Sequence, residues 1–525
     1  MNTIKIGKNI LENLTLGMYE NKYTIFREYI QNSADSIDKA IKEKILEKDE
    51  AQIDIEINSQ KRYIKIYDNA MGISKRNFRS ILSSIADSEK DYEKNKGFRG
   101  IGRLAGLAYC KKMIFRSSYL GEKIISEMTW NGELLKEILT DKSIRSAASE
   151  VIEKITSYKE ILGKENEHFF EVILEDITLE NDNLLDTEKV ISYLKEVSPV
   201  PYKNNFIYSS IIYEFVRKNN LKFDEYKILV NDTELFKPYT TNLYEPMKDG
   251  KKKSYDEIKD IAIKTFFNEK RKLIAWMWLG ICSFDRKIPV INQMRGIRIR
   301  KENIQIGNSE TLNKFFKEER GNGYYIGEIF VVDPEMRPNA RRDYFTPSLE
   351  TNEFEKLIES FFFQELYSYY YYASKTKNAL KREEEYKKAK KEYIEKDQTN
   401  SFINKDIKEK AKKELEEKKE KAEKAKKELE NRKKENENNS IKKRIYDIIV
   451  ENSAKSSKTD EKYDKINYPV EDKEKKNKTY LTQNLSKYNK SERKLIGKIY
   501  EIINNVVTKD ISELLIKKIQ EELSK

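Results

Sequence analysis

The sequence predicts an α/β (α+β) protein that ends in a long charged helical extension. Residues 21–40 have the spacing of an amphipathic helix, and the segments QIDIEI and RYIKIY alternate apolar and polar residues as a β-hairpin does. Residues 375–437 are rich in Lys and Glu, which indicates a long charged helix with the character of a coiled coil. No run of eighteen apolar residues occurs, so the sequence predicts no membrane span.

The helix predicted at residues 21–40 carries three polar residues along one stripe. Glu28, Asn32 and Asp35 recur at i, i+4 and i+7, which places them on one face. An Asn oxygen can bind Mg²⁺, an Asp can orient the ion or its waters, and a Glu can take a proton from an attacking water. The alternative interpretation is an ordinary exposed polar face, and this helix alone does not decide between the two.

Two glycine-containing segments follow the hairpin. The first, Asp68 to Ile73, combines an acidic residue at a strand end with Gly72, so a flat base could approach the backbone closely. The second, Gly97 to Gly106, has the sequence GFRGIGRLAG, and its backbone amides suit phosphate oxygens. This segment also contains G-x-G-x-x-A, but a charged loop precedes it rather than the strand that a dinucleotide fingerprint needs.

In this order the motifs resemble those of the GHKL ATPase superfamily, which includes gyrase, the ninety-kilodalton heat-shock chaperones, histidine kinases and MutL. FREYIQNSADSIDKA most resembles the first motif of the chaperones. The resemblance implies a Bergerat-fold ATPase sandwich with ATP and Mg²⁺ as cofactors. It implies that Glu28 is the general base, that Asn32 is a Mg²⁺ ligand, and that Asp68 accepts the adenine amino group. The other nucleotide-binding residues that it implies are Asp35, Gly72, Gly97, Arg99, Gly100, Gly102 and His168.

The sequence departs from the family pattern at two positions. Ala70 stands where the family has glycine, so its methyl group either crowds the nucleotide or fits beside it. His168 stands where the family has a Thr at the start of a strand near the base. An imidazole could supply the missing hydrogen bond, and the alternative is a strand-end residue without a special role.

Two arginine-rich segments lie in the second half of the predicted folded region. YIGEIFVVDPEMRPNARRDYF resembles the chaperone segment that delivers an arginine to the γ-phosphate, and Arg342 is the predicted catalytic arginine. Its neighbour Arg341 stays open as the alternative, and a surface salt bridge is the ordinary interpretation of such a run. Residues 295–301 form a basic strand that we interpret as solvated, although it could face a nucleotide, a partner or nucleic acid.

Composition divides the chain into five predicted parts. Pro199 and Pro201 end a predicted helix at the entrance to the second domain. The expected parts are a nucleotide-binding domain (1–182), a ribosomal-S5-like transducer or middle domain (183–352), a coiled-coil-like helical extension (353–437), a polar linker (438–488) and amphipathic helices (489–525).

Two functions compete on this evidence. The first is a slow ATP-driven clamp of the chaperone kind, which forms a homodimer when ATP binds and engages a protein partner or client. The second is a nucleic-acid-associated ATPase similar to MORC or MutL, because the formal net charge is +12. A subunit of a bacterial defence system is a further option. A histidine kinase is excluded because the single His lies at the end of the ATP domain, and two cysteines suit a cytoplasmic protein.

Overall fold

The structure is a computed structural model that describes residues 6–15, 21–84, 102–437, 439–464 and 509–524, with isolated positions between 492 and 503. It confirms a mixed α/β architecture followed by long helices. The chain divides into two units, Met1–Lys455 and Ser456–Lys525. Among the helices of the described ranges, none combines the length and apolar character that a membrane span requires.

An eight-stranded mixed sheet forms the amino-terminal half of the larger unit. In spatial order it runs β5-β4-β3-β6-β2-β1-β7-β8, and only β1 and β7 pair in parallel. The predicted hairpin is confirmed, since β1 and β2 pair antiparallel. The strands are β1 (Gln52–Asn58), β2 (Tyr63–Asp68), β3 (Cys110–Ser118), β4 (Ile124–Asn131), β5 (Thr156–Leu162), β6 (Phe169–Ile177), β7 (Lys227–Val230) and β8 (Thr233–Glu234).

Six α-helices accompany this sheet within the described residues. The predicted first-motif helix is confirmed as α2, whose Phe26, Ile30 and Ile37 are buried in the core. The helix before the two prolines ends at Val197, because a residue that precedes proline disfavours helical backbone. The helices are α1 (Asn9–Thr15), α2 (Thr24–Lys42), α3 (Lys75–Ser83), α4 (Gly132–Thr140), α5 (Ala148–Ile155) and α6 (Thr187–Val197), with 3₁₀ segments at Gly102–Ala108 and Leu179–Leu185.

A five-stranded sheet follows, in the order β11-β12-β15-β13-β14, in which β13 and β15 are parallel. Trp276, Met277 and Trp278 of β12 are all buried, so the prediction that they belong to the core is confirmed. The elements are α7 (Ser209–Lys218), the pair β9 (Asn242–Pro246) and β10 (Lys252–Glu257), and the sheet strands β11 (Asp260–Phe267), β12 (Leu273–Ile281), β13 (Gly296–Lys301), β14 (Ile304–Ile306) and β15 (Ile326–Val331).

Long helices complete the described chain, and two of them form an antiparallel hairpin. Tyr372 donates to Asn436 at one end of this hairpin (2.6 Å), and Lys408 pairs with Asp397 at the other. The long charged helix therefore has a partner within its own chain. The helices are α8 (Leu349–Phe361), a π-helical turn (Phe362–Leu366), α9 (Tyr367–Gln398), α10 (Lys405–Glu437), α11 (Ser440–Asp464) and α12 (Lys509–Ser524).

The structure differs from three expectations. Much of the predicted polar linker is α11, because Ile445 and Ile449 recur at helical spacing and are buried in the core of the second sheet. The basic strand β13 is not a solvated face, since Arg298 and Arg300 are 2% and 0% exposed. The eight-stranded sheet also extends past residue 182, because β7 and β8 add to its edge.

A buried charged cluster explains why β13 tolerates its arginines. Glu328 on β15 accepts hydrogen bonds from Arg300 and Tyr202, and Lys237 Nζ lies 3.1 Å from its Oε1. Burial alone would raise the pKa of Glu328, but the charges of Arg300 and Lys237 outweigh it and lower that pKa to about 2. Glu328 therefore stays ionised and compensates two buried cations.

We expect Glu328→Gln to destabilise the protein strongly, because it leaves Arg300 and Lys237 buried without a counter-charge. Removing one partner of a buried ion pair costs about 3–5 kcal/mol. Calorimetry should show a large drop in the temperature of thermal unfolding. The control is Glu257→Gln, which removes a carboxylate that is 51% exposed and pairs with Lys259 at 3.5 Å, and should change little. Equal effects of both variants would contradict this assignment.

Candidate functional site

The stripe on α2 is buried rather than exposed. Glu28 and Asp35 are 8% and 4% exposed, and Asn32 is half-buried. Ionisable side chains are rarely buried unless other groups compensate them. The ordinary alternative of a solvated polar face is therefore wrong for this helix, and the surroundings of each residue indicate what it can do.

Glu28 lies where α2 meets the loop that follows the second sheet. Its Oε1 is 3.4 Å from Arg342 Nε and 3.9 Å from Arg27 Nη2. Arg27 also donates from Nη2 to the backbone oxygen of Arg341 (3.1 Å). Arg342 is buried, whereas the Arg341 side chain is exposed. The guanidinium that faces the Glu28 carboxylate is therefore that of Arg342, the arginine that the sequence favours.

Gly102 lies directly against this carboxylate. A Cβ at this position would be only 2.3 Å from Glu28 Oε2, so any side chain here would displace the glutamate. Gly102 thus lies against the residue that the sequence predicts to be the general base. Gly97, Arg99 and Gly100, the other predicted residues of this segment, lie outside the described residues.

Asp68 forms the second half of the site, at the end of β2. It is 1% exposed, and its Oδ2 accepts a hydrogen bond from Ser33 Oγ (2.7 Å), while Ala70 N donates to its Oδ1 (3.2 Å). These two donors fix the carboxylate in place. Because Ser33 follows Asn32 on α2, the same helix that carries the predicted magnesium ligand also orients the predicted adenine acceptor.

The turn after Asp68 depends on Gly72. This glycine has φ +69°, and a Cβ here would lie 2.0 Å from the backbone oxygen of Ser118. Next to it, Ser117 Oγ accepts from Ile73 N (2.7 Å) and donates to Phe169 O (2.8 Å). The turn is therefore held against β3 and β6 by contacts that leave no room for a side chain.

His168 contacts the same turn. Its Nδ1 lies 2.9 Å from the backbone oxygen of Ala70, so the tautomer that is protonated on Nδ1 donates to that oxygen. The Ala70 methyl group is fully buried in the core, so it packs into the protein rather than standing over the site. His168 therefore lies beside the adenine-binding segment that the sequence predicts.

Asp35 lies at the far end of the stripe, near the start of β7. Burial raises the pKa of Tyr226, and the charges of Asp224, Asp38 and Asp35 raise it further. Tyr226 donates to Asp38 Oδ1 (2.6 Å). Asp35 therefore shares an acidic environment with these residues, one helical turn beyond Asn32.

Three residues of the site were not predicted. Arg27 approaches Glu28 from its own helix, Ser33 holds Asp68, and Ser117 holds the turn at Ile73. Arg27 and Ser33 lie inside the first motif, so their position in the sequence could have identified them as residues of the site. Ser117 carried no signal, because its contacts join segments that are 44 and 52 residues apart.

Comparison with known proteins agrees with this geometry. Residues 22–160, which include α2, both glycine segments and Asp68, match the family model described as histidine kinase-, DNA gyrase B- and HSP90-like ATPase. These residues are therefore similar to the ATPase domain of the GHKL superfamily. The chain is also similar to the chaperone protein HtpG of Buchnera aphidicola subsp. Acyrthosiphon pisum (strain APS), with 30% identity over 141 residues. The match covers 23% of this chain and 23% of that relative.

The residues of the GHKL domain fit ATP with magnesium. Asp68 offers a buried, fixed acceptor for an amino group, and the glycines at 72 and 102 allow the backbone turn after Asp68 and the close approach of the chain to Glu28. Asn32 supplies an oxygen of the type that Mg²⁺ prefers. The donor set and the glycines therefore agree with the cofactors that the sequence implies.

We expect Gly72→Ala to weaken adenine-nucleotide binding severely and to lower the unfolding temperature, because the new Cβ collides with Ser118 O. Gly121→Ala is the matched control, since Gly121 also has a positive φ (+84°) but has open space around its Cβ position. The control should cost only about 1 kcal/mol from backbone strain and should bind nucleotide normally. A fluorescent-nucleotide titration measures the difference, and equal affinities in the two variants would refute the steric argument.

Proposed function

We propose that the protein is an ATP-hydrolysing clamp, in which the nucleotide state controls closure of a homodimer and engagement of a protein partner in the cytoplasm. The single observation that carries this proposal is the contact between Glu28 and Arg342. It joins the helix of the GHKL motif to the loop that follows β15 of the second sheet. A residue from another part of the fold thus reaches the predicted general base.

The roles of the residues follow from their chemistry. Asp68, oriented by Ser33, would accept the adenine amino group, and Asn32 would be a magnesium ligand. Bound ATP with Mg²⁺ would supply the phosphoanhydride bond and an ion that spreads the charge of its phosphates. Glu28 would take the proton of the attacking water, since a carboxylate is the acceptor that this chain places beside Gly102.

Arg342 would act as the sensor of the nucleotide. It pairs with Glu28 in this structure, and a terminal phosphate would compete with Glu28 for the same guanidinium. The exchange would release Glu28 for proton transfer and would place a cation where charge builds up during phosphoryl transfer. The second sheet would then adopt a position that depends on whether ATP is present, as a clamp requires.

Engagement of a partner is supported by the carboxyl-terminal helix. Leu514 and Leu515 of α12 are 67% and 37% exposed, and an exposed apolar face of this kind is typical of an interaction site. A second copy of the chain would meet the same need, so homodimerisation and partner binding can use related surfaces. The cytoplasmic location is supported by Cys110 and Cys282, which are both free thiols.

A nucleic-acid-associated ATPase is the alternative, and the net charge of +12 favours it. The arginines of β13 do not contribute, because Arg298 and Arg300 are buried. The cations available to a polyanion include the exposed lysines of α10. An ATPase rate that rises with duplex DNA and loses this response as salt increases would favour the alternative over the clamp.

Glu28→Gln should bind ATP with little change and hydrolyse it about 10²–10⁴-fold more slowly, because the amide cannot accept the proton. Equilibrium binding and phosphate release measured on the same preparation separate the two effects. Asp38→Asn, in the same helix, is the control and should retain most of the turnover. Normal hydrolysis by the Glu28 variant would remove the general-base assignment.

Arg342→Ala should bind ATP yet hydrolyse it about 10³-fold or more slowly, if this guanidinium serves the terminal phosphate. The matched control is Arg341→Ala, because Arg341 contacts Arg27 through its backbone oxygen, which the substitution preserves. Single-turnover hydrolysis of both variants provides the test. A larger loss in Arg341→Ala than in Arg342→Ala would reverse the assignment.

A further inference from the structure

A cavity lies apart from the residues of the candidate nucleotide site, beside the first residues of β13. It has a volume of about 470 Å³. We name it the arginine cavity, and the charged residues that line it are Lys287, Arg295, Arg298, Arg320, Glu196, Glu310 and Glu319. None of the residues that we assign to the nucleotide site lines it. The volume falls in the range of small-molecule sites, about 300–1,000 Å³.

Two cations converge over a glycine in this cavity. A Cβ on Gly323 would lie 2.5 Å from Lys287 Cε and 2.9 Å from Arg295 Nη2. Both side chains therefore cross the space that a side chain at this position would occupy. Two like charges that face the same small space repel one another, and an anion between or beside them would offset this repulsion.

Arg298 provides a third, buried cation. It is 2% exposed, and its Nη2 donates to the backbone oxygen of Gln293 and lies 3.5 Å from Glu196 Oε2. Its Nε and Nη1, and Arg295 Nε, are buried without an acceptor among the residues that the structure describes. Buried donors without acceptors are costly, and most so on a charged group, so the cavity favours an anion.

The amide side chains of Asn322 and Asn292, which also line the cavity, are already committed to the fold. Asn322 accepts from Ile297 N (2.8 Å) and donates to Ser309 O (2.8 Å), and Asn292 donates to Tyr244 O (2.7 Å). Recognition in this cavity therefore depends on the cations. Three carboxylates also line it, those of Glu196, Glu310 and Glu319, which opposes a long polyanion and favours a compact group with concentrated charge.

We propose that the arginine cavity binds the phosphate group of a small phosphorylated ligand, held by Lys287, Arg295 and Arg298. The guanidinium groups would donate charge-assisted hydrogen bonds to the phosphate oxygens, and the Lys287 ammonium would add a point charge. The remaining volume accommodates a body about the size of a sugar. This site is independent of ATP hydrolysis, so it stands or falls separately from the proposed function.

The test uses the full chain with its nucleotide site saturated by magnesium ADP. Calorimetric titration with ribose 5-phosphate and with inorganic phosphate should each show one further site. The double variant Lys287→Ala/Arg295→Ala should weaken this binding about tenfold or more, since each contact is charge-assisted. The control is Lys270→Ala, which removes an exposed lysine outside the cavity lining and should leave the affinity unchanged.

Three results would overturn the proposal. The first is equal phosphate affinity in the double variant and the control, and the second is loss of phosphate binding on saturation with ADP. The third is that the chain binds duplex DNA but neither phosphate compound, and that the double variant abolishes this DNA binding.

A second measurement uses the unaltered chain. Because Lys287 is exposed, its rate of acetylation can be followed by mass spectrometry. Ribose 5-phosphate should slow this reaction at Lys287 and not at Lys270.

Discussion

Glu28 and Arg342 meet in an environment that is almost dry, with about 10% of each side chain exposed. Opposite charges at 3.4 Å attract far more strongly there than at a surface. If one charge loses its partner and stays buried, its desolvation is no longer compensated, which costs a large free energy. The rest of the site depends on this constraint. A group that separates the two charges must compensate both, and a terminal phosphate with its metal ion is a partner of that kind.

The charged cluster around Glu328 gives this contact a firm support. Arg300, which it holds, also donates to the backbone oxygen of Glu196 in α6 (2.7 Å). On the same helix, Tyr193 packs against Tyr23, which directly precedes α2, with ring centroids 5.5 Å apart. The second sheet is thus connected to the start of α2 through α6. This connection through α6 adds to the direct contact of Arg342 with Glu28.

Local patterns were sufficient to predict much of this site. Glu28, Asn32 and Asp68 stand in short motifs whose spacing already implies their faces, and the hairpin between them has a period of two. Contacts between residues far apart in the sequence could not be predicted from these patterns. Ser33 and Asp68 are 35 residues apart, and nothing in the sequence pairs them. The four-residue strand β7 pairs with β1 in parallel, a partner that periodicity cannot identify.

The errors have a common physical origin. Alternation places Arg298 and Arg300 on one face of a strand, but it does not say whether another element covers that face, and here Glu328 lies on the neighbouring strand. The segment that forms α11 was likewise interpreted as a linker because its overall composition is polar. Its buried face is indicated only by Ile445 and Ile449, which recur at helical spacing. In both segments, tertiary packing overrode a pattern that favours solvent exposure.

The position of α11 extends this logic to the helical extension. Strand β11 is an edge of the second sheet, and exposed edges invite unwanted pairing. Arg444 of α11 pairs with Asp260 at 3.0 Å and donates to Ile261 O (3.0 Å), while Asn452 donates to Ser283 Oγ (2.8 Å). The helix therefore contacts the beginning of that edge and joins the extension to the sheet whose last strand precedes the Arg342 loop. A movement of this sheet would carry residues 444–452 of α11 with it, because these contacts join the helix to the strand.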